Sequence, residues 1–536
     1  MSLTIKYLDT PEGAQTAATV SGVGLQPFST ATSMATGADD VAWATTEPGL
    51  WLLDGSRDIL ADDPQNVGWW SNTLSDESGY FRTPPVLVID FDSRFSATGI
   101  TVTFSASTGQ WCSRVIVRWY RGAELLAETE GFPDSPKWAG GDAIDSFDRI
   151  TIELLGTNTP ESLAKIQQLT IGQLIVFGRE EIISAQLVNE VDHTLGTMPV
   201  DISRFEVFSP DGLSLNPQQN QRVELYRDSQ LLASHYIESG TRAAAGHYVL
   251  NCHSAVGRLE GDFLGGIYDG VPAEDLLPEL LDYLPVSIDP TLRRIEVTGH
   301  IPVCSRREAL QQVCFAIGAM VSTSKSDVIN IIPIPETGSA EFGPADIFAG
   351  SNVTVAQRVA TVEVAAHRYK KANTVDTLLE DEEIGGEDVL VTFDEPHWGY
   401  EISGGTITGS GANWITVTAS GAATVTAKTY NHTTIIHRQA NPDATYAERG
   451  NVVSVMEATL VNSSNVRQVI ARLVAAAERR WTLTQDVVIS DQEIGSIVTS
   501  PNPWGGTVTG IITSMDSTLT QGGHTARVVI SGKEGT

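Results

Sequence analysis

Ser113-Arg-Val-Ile-Val-Arg-Trp-Tyr120 is the segment that most clearly decides the fold class of this chain. Its Val115, Val117 and Trp119 recur at every second position, which places them on one face of an extended backbone. β-Branched and aromatic residues with this period, in a run that ends before Gly122, are typical of a half-buried strand. The segment therefore predicts one strand of an antiparallel β-sheet.

The same two-residue period recurs on both sides of this segment. It is found in residues 86–91, 99–104, 147–154 and 168–172. Each run is bounded by Gly, Pro, Ser or Asp, and no long 3.6-residue period occurs in this part of the chain. We therefore predict that residues 1–178 form an antiparallel sandwich or jelly roll.

Residues 179–260 continue the pattern and predict a second β domain. Their strand-like runs are 182–188, 204–208, 222–226, 231–237 and 247–252. Residues 261–340 differ, because apolar residues take helical spacing at 272–284 and again after Ser305. Ser305 and Glu308 form a capping-box pattern, in which each side chain accepts the backbone N–H of the other. Together with a strand at 327–334, this region predicts a small α+β unit.

The last region, residues 341–536, returns to strand patterns and contains one strong helix signal. The Ala-rich segment 465–480, with Ser463 or Ser464 as its N-cap, predicts that helix. Two closing strands are predicted at 507–513 and 525–530, on either side of a Gly-rich turn. The fold class is therefore predicted to be mainly β and multi-domain, with a sandwich or jelly roll, further β domains and a small α+β unit.

Charge limits the classes of function. The 536 residues carry 66 acidic and 34 basic side chains, and the formal net charge is -32. Such a field repels phosphate groups, so we expect no nucleic-acid partner. The acidic excess favours solubility at high local concentration, and cation binding by part of it is the alternative. The acidic run 380–388 is interpreted as a solvated loop.

Signals for export and membrane insertion are absent from the sequence. Residues 1–9 lack a basic segment followed by an apolar run, so we expect no secretory signal. No apolar stretch approaches the roughly 18 residues of a spanning helix, so we expect no membrane span. The four cysteines form no CxxC pair and are expected to be reduced and buried rather than bound to zinc. They are Cys112, Cys252, Cys304 and Cys314.

Catalytic signals are absent as well. No P-loop, HExxH, GxSxG or EF-hand motif occurs, and the ten histidines show no pair four residues apart. We therefore predict no enzyme activity and no cofactor. A Ser-His-Asp triad or a glycosidase acid pair needs no local motif, so a carbohydrate-active enzyme with an appended binding module is the alternative.

Tryptophan is concentrated in the first unit, which holds seven of the eleven in the chain. Indole rings stack on the apolar faces of sugars, and exposed rings on loops are costly unless they bind something. Trp119 lies in mid-strand and is predicted to be a core residue. The other six lie in or beside predicted loops, and either they bind glycan or most of them are core residues too. They are Trp43, Trp51, Trp69, Trp70, Trp111 and Trp138.

An acidic loop that begins at Asp54 is a further candidate site. Asp58, Asp62 and Asp63 follow it in the sequence, and carboxylate oxygens are calcium ligands. The spacing matches no EF-hand, and the simpler interpretation is a solvated turn. We therefore predict no metal site here.

Several segments between residues 179 and 340 share their order and pattern with one family. They are residues 181–190, 198–199, 205–212, 222–226, 235–237, 252–259, 299–312 and 315–319. With them, this part of the chain resembles the tail-hub proteins of Gram-positive siphophages and their prophages, also called tail-associated or baseplate hub proteins. The closing strands of residues 507–530 are similar to the last β domain of such hubs.

The resemblance implies a structural role in a virion. It implies a homotrimer whose β domains form a ring at the tail tip, where it joins the tail tube to the tip and is assembled in the host cytoplasm. The implied partners are distal tail and tail tube proteins, receptor-binding or tip proteins, and the tape measure protein, which would end inside the ring. Such a ring needs extensive subunit interfaces and no cofactor.

The first unit resembles galactose-binding-like carbohydrate modules. The resemblance rests on Phe91 and on residues 97–104, 117–120 and 147–152. It implies contact with host cell-surface glycan, where three copies would offset the weak affinity of a single sugar site. The alternative is a purely architectural unit that contacts neighbouring tail proteins.

Overall fold

A computed structural model describes residues 2–26, 34, 44, 45, 47–51, 54, 68–209, 214–282, 284–323 and 325–535. The fold is mainly β, with 57% of residues in strands and 9% in helices. The described strands belong to six sheets. This confirms the predicted fold class.

The strands and helices are numbered here in chain order. The strands before residue 180 are β1 (Leu3–Leu8), β2 (Ala18–Val23), β3 (Leu25–Gln26), β4 (Trp69–Ser71), β5 (Val86–Phe104), β6 (Cys112–Arg121), β7 (Glu124–Gly131), β8 (Lys137–Thr157), β9 (Lys165–Ile171) and β10 (Leu174–Phe177). Those up to residue 335 are β11 (Ile182–Glu190), β12 (Ile202–Phe208), β13 (Arg222–Arg227), β14 (Gln230–Ala244), β15 (His247–His253), β16 (Asp262–Phe263), β17 (Gly266–Pro272), β18 (Val286–Ile288), β19 (Glu296–Ile301), β20 (Cys304–Ser305), β21 (Ala319–Ser322) and β22 (Ile329–Pro333).

The remaining strands and the helices complete the described elements. The strands are β23 (Ala340–Glu341), β24 (Asn352–Val355), β25 (Thr361–Thr392), β26 (His397–Ser410), β27 (Trp414–Ala440), β28 (Val452–Val455), β29 (Trp481–Val488), β30 (Ile497–Pro501), β31 (Thr507–Thr520) and β32 (Gly523–Gly535). The helices are α1 (Ala14–Ala17), α2 (Ala273–Leu281), α3 (Arg306–Ile317) and α4 (Val466–Ala477), with short 3-10 turns at Ala255–Arg258 and Tyr446–Glu448.

The N-terminal β unit, residues 14–171, is built on one eight-stranded sheet. Its order is β3-β4-β9-β5-β8-β6-β7, and β2 pairs with β5. The predicted runs at 86–91 and 99–104 are one strand, β5, which shifts register against β8 between Asp90 and Phe95. The alternation in β6 buries Val115, Val117 and Trp119 completely, as the sequence predicts. The two-residue period therefore identifies the core face correctly.

The largest sheet, called the main sheet below, has thirteen strands and joins both ends of the chain. Its order is β10-β1-β13-β14-β15-β12-β11-β31-β32-β29-β24, with β30 pairing β31 and β23 pairing β30. Strand β1 lies in its interior, where Ile5 and Tyr7 are fully buried. The strands predicted at 507–513 and 525–530 are the first parts of the longer β31 and β32 and do not form a separate closing domain.

The boundary predicted at residue 178 therefore differs from the sheet structure. Ile5 of β1 pairs with Phe177 of β10 on one side and with Leu225 of β13 on the other. The N-terminal β unit is thus inserted between two strands of the main sheet. Strand periodicity shows which face is buried but does not show which neighbour a strand pairs with.

The region predicted as 341–536 divides between two sheets. β23, β24 and β29–β32 belong to the main sheet, whereas β25–β28 form a four-stranded sheet in the order β26-β27-β25-β28. This four-stranded sheet is called the folded sheet below, because it bends back on itself. Across the bend, the backbone N–H groups of Phe393 and His397 donate to the carbonyl oxygens of Asn413 and Ala412. At the bend, Gly404 has a φ of 92°, and a side chain there would meet the Ala422 carbonyl at 2.3 Å.

The prediction of a loop at 380–388 is wrong. These residues lie within β25 and pair with β27, for example Glu383 with Ala422. The register shifts on both sides, and Asp381 and Asp388 take positive φ values of 50° and 52°. The charged run is therefore a bulged strand in which most side chains are exposed, which is a common way to protect a strand edge.

The predicted helices are present with small changes at their ends. Ser305 and Glu308 form the predicted capping box at the start of α3. Helix α4 begins after Asn465, so the predicted caps Ser463 and Ser464 are wrong. The Asn465 side chain accepts a backbone N–H from Asn462 at 2.9 Å and fixes the preceding turn instead.

The lengths of the helices and the burial of the cysteines bear on two further predictions. The longest described helices, α3 and α4, have 12 residues each, and no described helix is long and apolar enough to cross a bilayer. All four cysteines are free thiols. Cys112, Cys252 and Cys314 are buried, while Cys304 is half-buried.

Candidate functional site

Two of the candidate glycan-binding tryptophans lie in the core. Trp69 and Trp70 form β4 and are only 6% and 3% exposed. The Nζ of Lys165 lies 5.1 Å from the centroid of the Trp70 ring. A buried ring has no free face for a sugar, so the prediction of glycan contact is wrong for these two residues. Their strand is only three residues long, and the neighbouring sequence is polar, so the sequence alone predicts a loop here.

Trp111 and Trp138 lie together beside the connection between β7 and β8. The Trp111 indole N–H donates to the Pro133 carbonyl at 3.2 Å. The Trp138 ring packs so closely on Gly131 that a side chain there would meet it at 2.2 Å. Both rings also pack against the core of the unit, and both are half-buried. Each therefore keeps part of its surface open to solvent.

Phe132 completes this aromatic group and was missed by the sequence interpretation. It lies between the two residues that the indoles contact, and 66% of its surface is exposed. The guanidinium of Arg114 lies 5.9 Å from its ring centroid. Its place between Gly131 and Pro133 is typical of a loop and was the available sequence signal. The aromatic group defined by Trp111, Phe132 and Trp138 is the part of the predicted glycan surface that the structure brings together.

Two tryptophan candidates remain, Trp51 and Trp43. Trp51 is half-buried and follows the segment that contains Glu47. Trp43 lies outside the described residues. Of the acidic loop, only Asp54 is described, and Asp58, Asp62 and Asp63 lie outside the described residues. In the part of the chain that the structure describes, no group of three or more His, Cys, Asp or Glu is placed to hold a metal ion.

A buried charged network joins Glu47, Gln110 and Lys165 of the N-terminal β unit. Lys165 Nζ lies 2.6 Å from Glu47 Oε2, and both side chains are 1% exposed. The same ammonium donates to Gln110 Oε1 at 2.6 Å, and Gln110 Nε2 donates to Glu47 Oε1 at 2.9 Å. The Leu163 N–H also donates to Glu47. This closed network ties three connections together and engages both oxygens of the Glu47 carboxylate.

A second buried network joins the N-terminal β unit to the main sheet. Asp9 is fully buried, and its Oδ1 accepts from the Tyr7 hydroxyl at 3.0 Å and from Gln221 Nε2 at 2.7 Å. The Thr98 N–H of the N-terminal unit donates to Oδ2 of the same carboxylate. Burial raises the pKa of Asp9 above its usual value, although these donors act in the opposite direction. The network is a structural joint between two sheets.

Two close Ser–His pairs test the enzyme alternative. Ser203 Oγ lies 2.8 Å from His235 Nδ1, and burial lowers the pKa of His235 to about 3. Ser517 Oγ lies 3.0 Å from His524 Nε2, and burial beside Arg227 lowers the pKa of His524 to about 4. The second nitrogen of His524 faces the Arg227 guanidinium at 3.2 Å rather than a carboxylate. Neither pair is arranged as a catalytic triad.

The main sheet ends in two strands that expose apolar side chains. At one end, Leu174 and Val176 of β10 are 43% and 47% exposed, and at the other end Val355 of β24 is 47% exposed. Edge strands of single-chain proteins are usually protected by charges, bulges or a covering element. The exposed apolar ends are therefore candidate contacts with other protein subunits.

Trp504 is the most exposed tryptophan among those described, at 84%. It lies in the turn between β30 and β31, where Asn502 Oδ1 accepts the Trp504 N–H at 3.0 Å and the Asn502 N–H donates to Gly506 at 3.0 Å. A rigid turn that presents one large ring is typical of a contact residue at a protein interface. A single tryptophan in a turn has no sequence period, so the sequence does not predict this residue as a contact.

Comparisons with known proteins give limited likenesses. No protein-family model matches the chain, and no curated protein matches it. A tail protein from Neisseria meningitidis is 11% identical, with a TM-score of 0.40, over 66% of this chain and 93% of its own. A prophage tail protein from Shewanella oneidensis is 8% identical, with a TM-score of 0.39, over 67% of this chain and 95% of its own. A family 32 carbohydrate-binding module from C. perfringens, solved with galactose, is 14% identical, with a TM-score of 0.20, over 31% of this chain and 98% of its own.

Proposed function

We propose that this chain is a structural hub protein at the tail tip of a long-tailed phage or prophage. In this role it forms a homotrimer that joins the tail tube to the tip. Its neighbours are distal tail and tail tube proteins, receptor-binding or tip proteins, and the tape measure protein. The proposal rests on the sequence resemblance of residues 179–340 and on the surfaces of the chain itself, because structural likenesses with such low TM-scores cannot carry it.

The observation that carries the proposal is the open main sheet. Thirteen strands bring the N-terminal strand β1 and the C-terminal hairpin β31–β32 into one sheet. That sheet ends in β10 and β24, whose exposed apolar side chains would be a liability in a lone monomer. Subunits of a ring bury such edges against neighbouring subunits.

Electron microscopy of the purified chain at high protein concentration tests this proposal. We expect ring-shaped particles with threefold symmetry, in which the main sheets form the ring. Particles that stay single, with or without an added tail tube protein, would contradict the hub role.

The N-terminal β unit is proposed to contact host cell-surface glycan through the aromatic group of Trp111, Phe132 and Trp138. Phe132 is the most exposed of the three, and it lies between Gly131 and Pro133, which the two indoles contact. Aromatic rings grouped in this way bind the apolar faces of sugar rings. If the unit is purely architectural instead, this aromatic group contacts a neighbouring tail protein.

Phe132→Ala separates the two roles of the unit. The side chain is 66% exposed, so its removal should leave the unit folded. We expect binding to purified cell-wall polysaccharide to fall about tenfold, because one stacked ring contributes about 1 kcal/mol or more. Leu125→Ala, at a residue that is 50% exposed on β7, is the matched control. Equal polysaccharide binding by both variants and the native chain would contradict the proposed glycan contact.

A further inference from the structure

A groove runs between helix α3 and strand β28. Its volume is about 870 Å³, and its walls include Arg307, Gln311 and Phe315 of α3 and residues 454–457 in and after β28. β28 is the last strand of the folded sheet, so among the described residues no strand pairs with the edge that faces away from β25. A strand that binds beside such an edge gains backbone hydrogen bonds from it.

The opposite side of the same sheet presents a projecting edge. β26 pairs with β27 only as far as Thr429, so β25 is the only strand in the described part of the chain that pairs with residues 430–440. That pairing runs from Lys371 to Thr361 without a register shift. Ile435 and Ile436 point to opposite faces of this segment and are 65% and 50% exposed. A long, flat edge with exposed isoleucines is suited to pairing with another strand.

The projecting edge is basic in a chain whose net charge is -32. No acidic residue lies between Glu401 and Asp443, and the part of β25 that pairs with the edge carries Arg368, Lys370 and Lys371. Arg438 of the edge is paired with Glu363 of β25 at 2.9 Å and adds no free charge. Copies of an acidic chain repel one another, so a contact between copies is favoured where one side has no acid. The edge meets this condition.

The groove supplies charges and apolar surface that match the edge. Its walls carry the carboxylates of Glu308 and Glu457 against the one guanidinium of Arg307. Phe315 and Met456 provide apolar surface for isoleucine side chains. Groove and edge therefore complement each other in charge, in polarity and in the need for a strand partner.

We propose that residues 430–440 of one copy bind in the groove between α3 and β28 of a second copy, as a strand added to β28. The contact joins two different surfaces of each copy, so it is a head-to-tail contact, and with a threefold rotation it closes into a trimeric ring rather than a dimer. This inference rests on the proposed homotrimer and names one contact that it requires, in addition to the burial of the main-sheet edges.

The double variant Ile435→Asp, Ile436→Asp tests the edge. Both side chains are exposed, and the added carboxylates face the acidic groove. We expect light scattering to report a monomer where the native chain is a trimer. Val375→Asp places one carboxylate on β25 at a side chain that is 58% exposed, outside the proposed contact, and this variant should remain a trimer.

A groove variant tests the other half of the contact. Ser454 is exposed on β28, and Ser454→Trp should fill the groove and also give a monomer. A mixture of the edge variant and the groove variant keeps one intact contact and should form a dimer. If the native chain and both variants are trimers, the proposed contact is wrong and the hub proposal stands. If the native chain is a monomer at every concentration, the trimer and this contact both fail.

Discussion

The N-terminal β unit and the main sheet bury their polar groups in different ways. The first 192 residues contain no histidine, and the N-terminal unit buries the ion pair of Lys165 and Glu47 at 2.6 Å. The main sheet buries neutral imidazoles instead, including His235 and His524, which are 0% and 6% exposed. The N-terminal unit has no imidazole to protonate, whereas a buried neutral imidazole loses its contribution to stability in acid, because the unfolded chain then binds the proton more readily. The two regions should therefore respond differently to the same change of conditions.

Tryptophan makes the difference measurable. Seven of the eleven tryptophans lie before residue 172, whereas all ten histidines lie after residue 192. Tryptophan fluorescence therefore reports mainly on the first region, while the circular dichroism of the backbone reports on both. Separate transitions by the two probes would show that the regions unfold independently, although Asp9 joins them.

The largest expected effect is the loss of the buried ion pair. Lys165→Met removes the ammonium and leaves Glu47 buried among polar partners without a countercharge. We expect the fluorescence transition to lose about 3–5 kcal/mol of unfolding free energy. Arg149→Met breaks an exposed pair with Asp90, whose side chains are 48% and 45% exposed, and should cost less than about 1 kcal/mol. Equal losses in the two variants would contradict the buried network.

Acid should act mainly on the main sheet. The native pKa values of about 3 for His235 and about 4 for His524 lie below the usual 6.5, so the unfolded chain binds these protons first. Their stabilisation is complete above pH 6.5 and is lost as the pH falls toward the native values. Burial raises the pKa of Asp201 to about 6, which offsets part of this loss.

The net loss should be about 4 kcal/mol near pH 4, since each pKa unit corresponds to about 1.4 kcal/mol. Thermal unfolding followed by circular dichroism from pH 7 to pH 4 measures it. The fluorescence transition of the N-terminal unit should fall much less over the same range. A fall of both transitions together would show that the histidines do not set the acid response.

The smallest expected effect concerns the capping box of α3. Ser305→Ala removes the side-chain oxygen that accepts the Glu308 N–H at 3.2 Å. We expect a loss of about 1 kcal/mol, confined to the circular dichroism transition because α3 lies outside the N-terminal unit. Thr445→Ala removes a similar box on the short 3-10 turn at Tyr446–Glu448 and should change stability less. A shift of the fluorescence transition by Ser305→Ala would indicate that the two regions are coupled.

Much of the fold is predictable because strand periodicity and caps are local properties. The buried face of β6 and the capping box at Ser305 are both as predicted. Partner choice is not local, so the pairing of β1 with β10 and β13 could not be read from the sequence. The acidic run in β25 was misread because charged residues on an exposed strand and in a solvated loop have the same composition.

The candidate glycan-binding residues also show that local sequence patterns do not reveal long-range contacts. Aromatic content predicts that rings are present, but burial depends on long-range pairing, such as that of Trp69 with Ile166 of β9. Phe132 and Trp504 were missed because a single exposed ring has no sequence period. Their exposures of 66% and 84% are visible only in the folded chain.

The mass of the native chain in solution tests the central claim most directly. Light scattering over a range of protein concentrations should give a species near three times the chain mass of 57.5 kDa. That result would support a hub whose sheet edges are buried between copies. A mass that stays at 57.5 kDa at the highest concentration would contradict the homotrimer and the role proposed for the open main sheet.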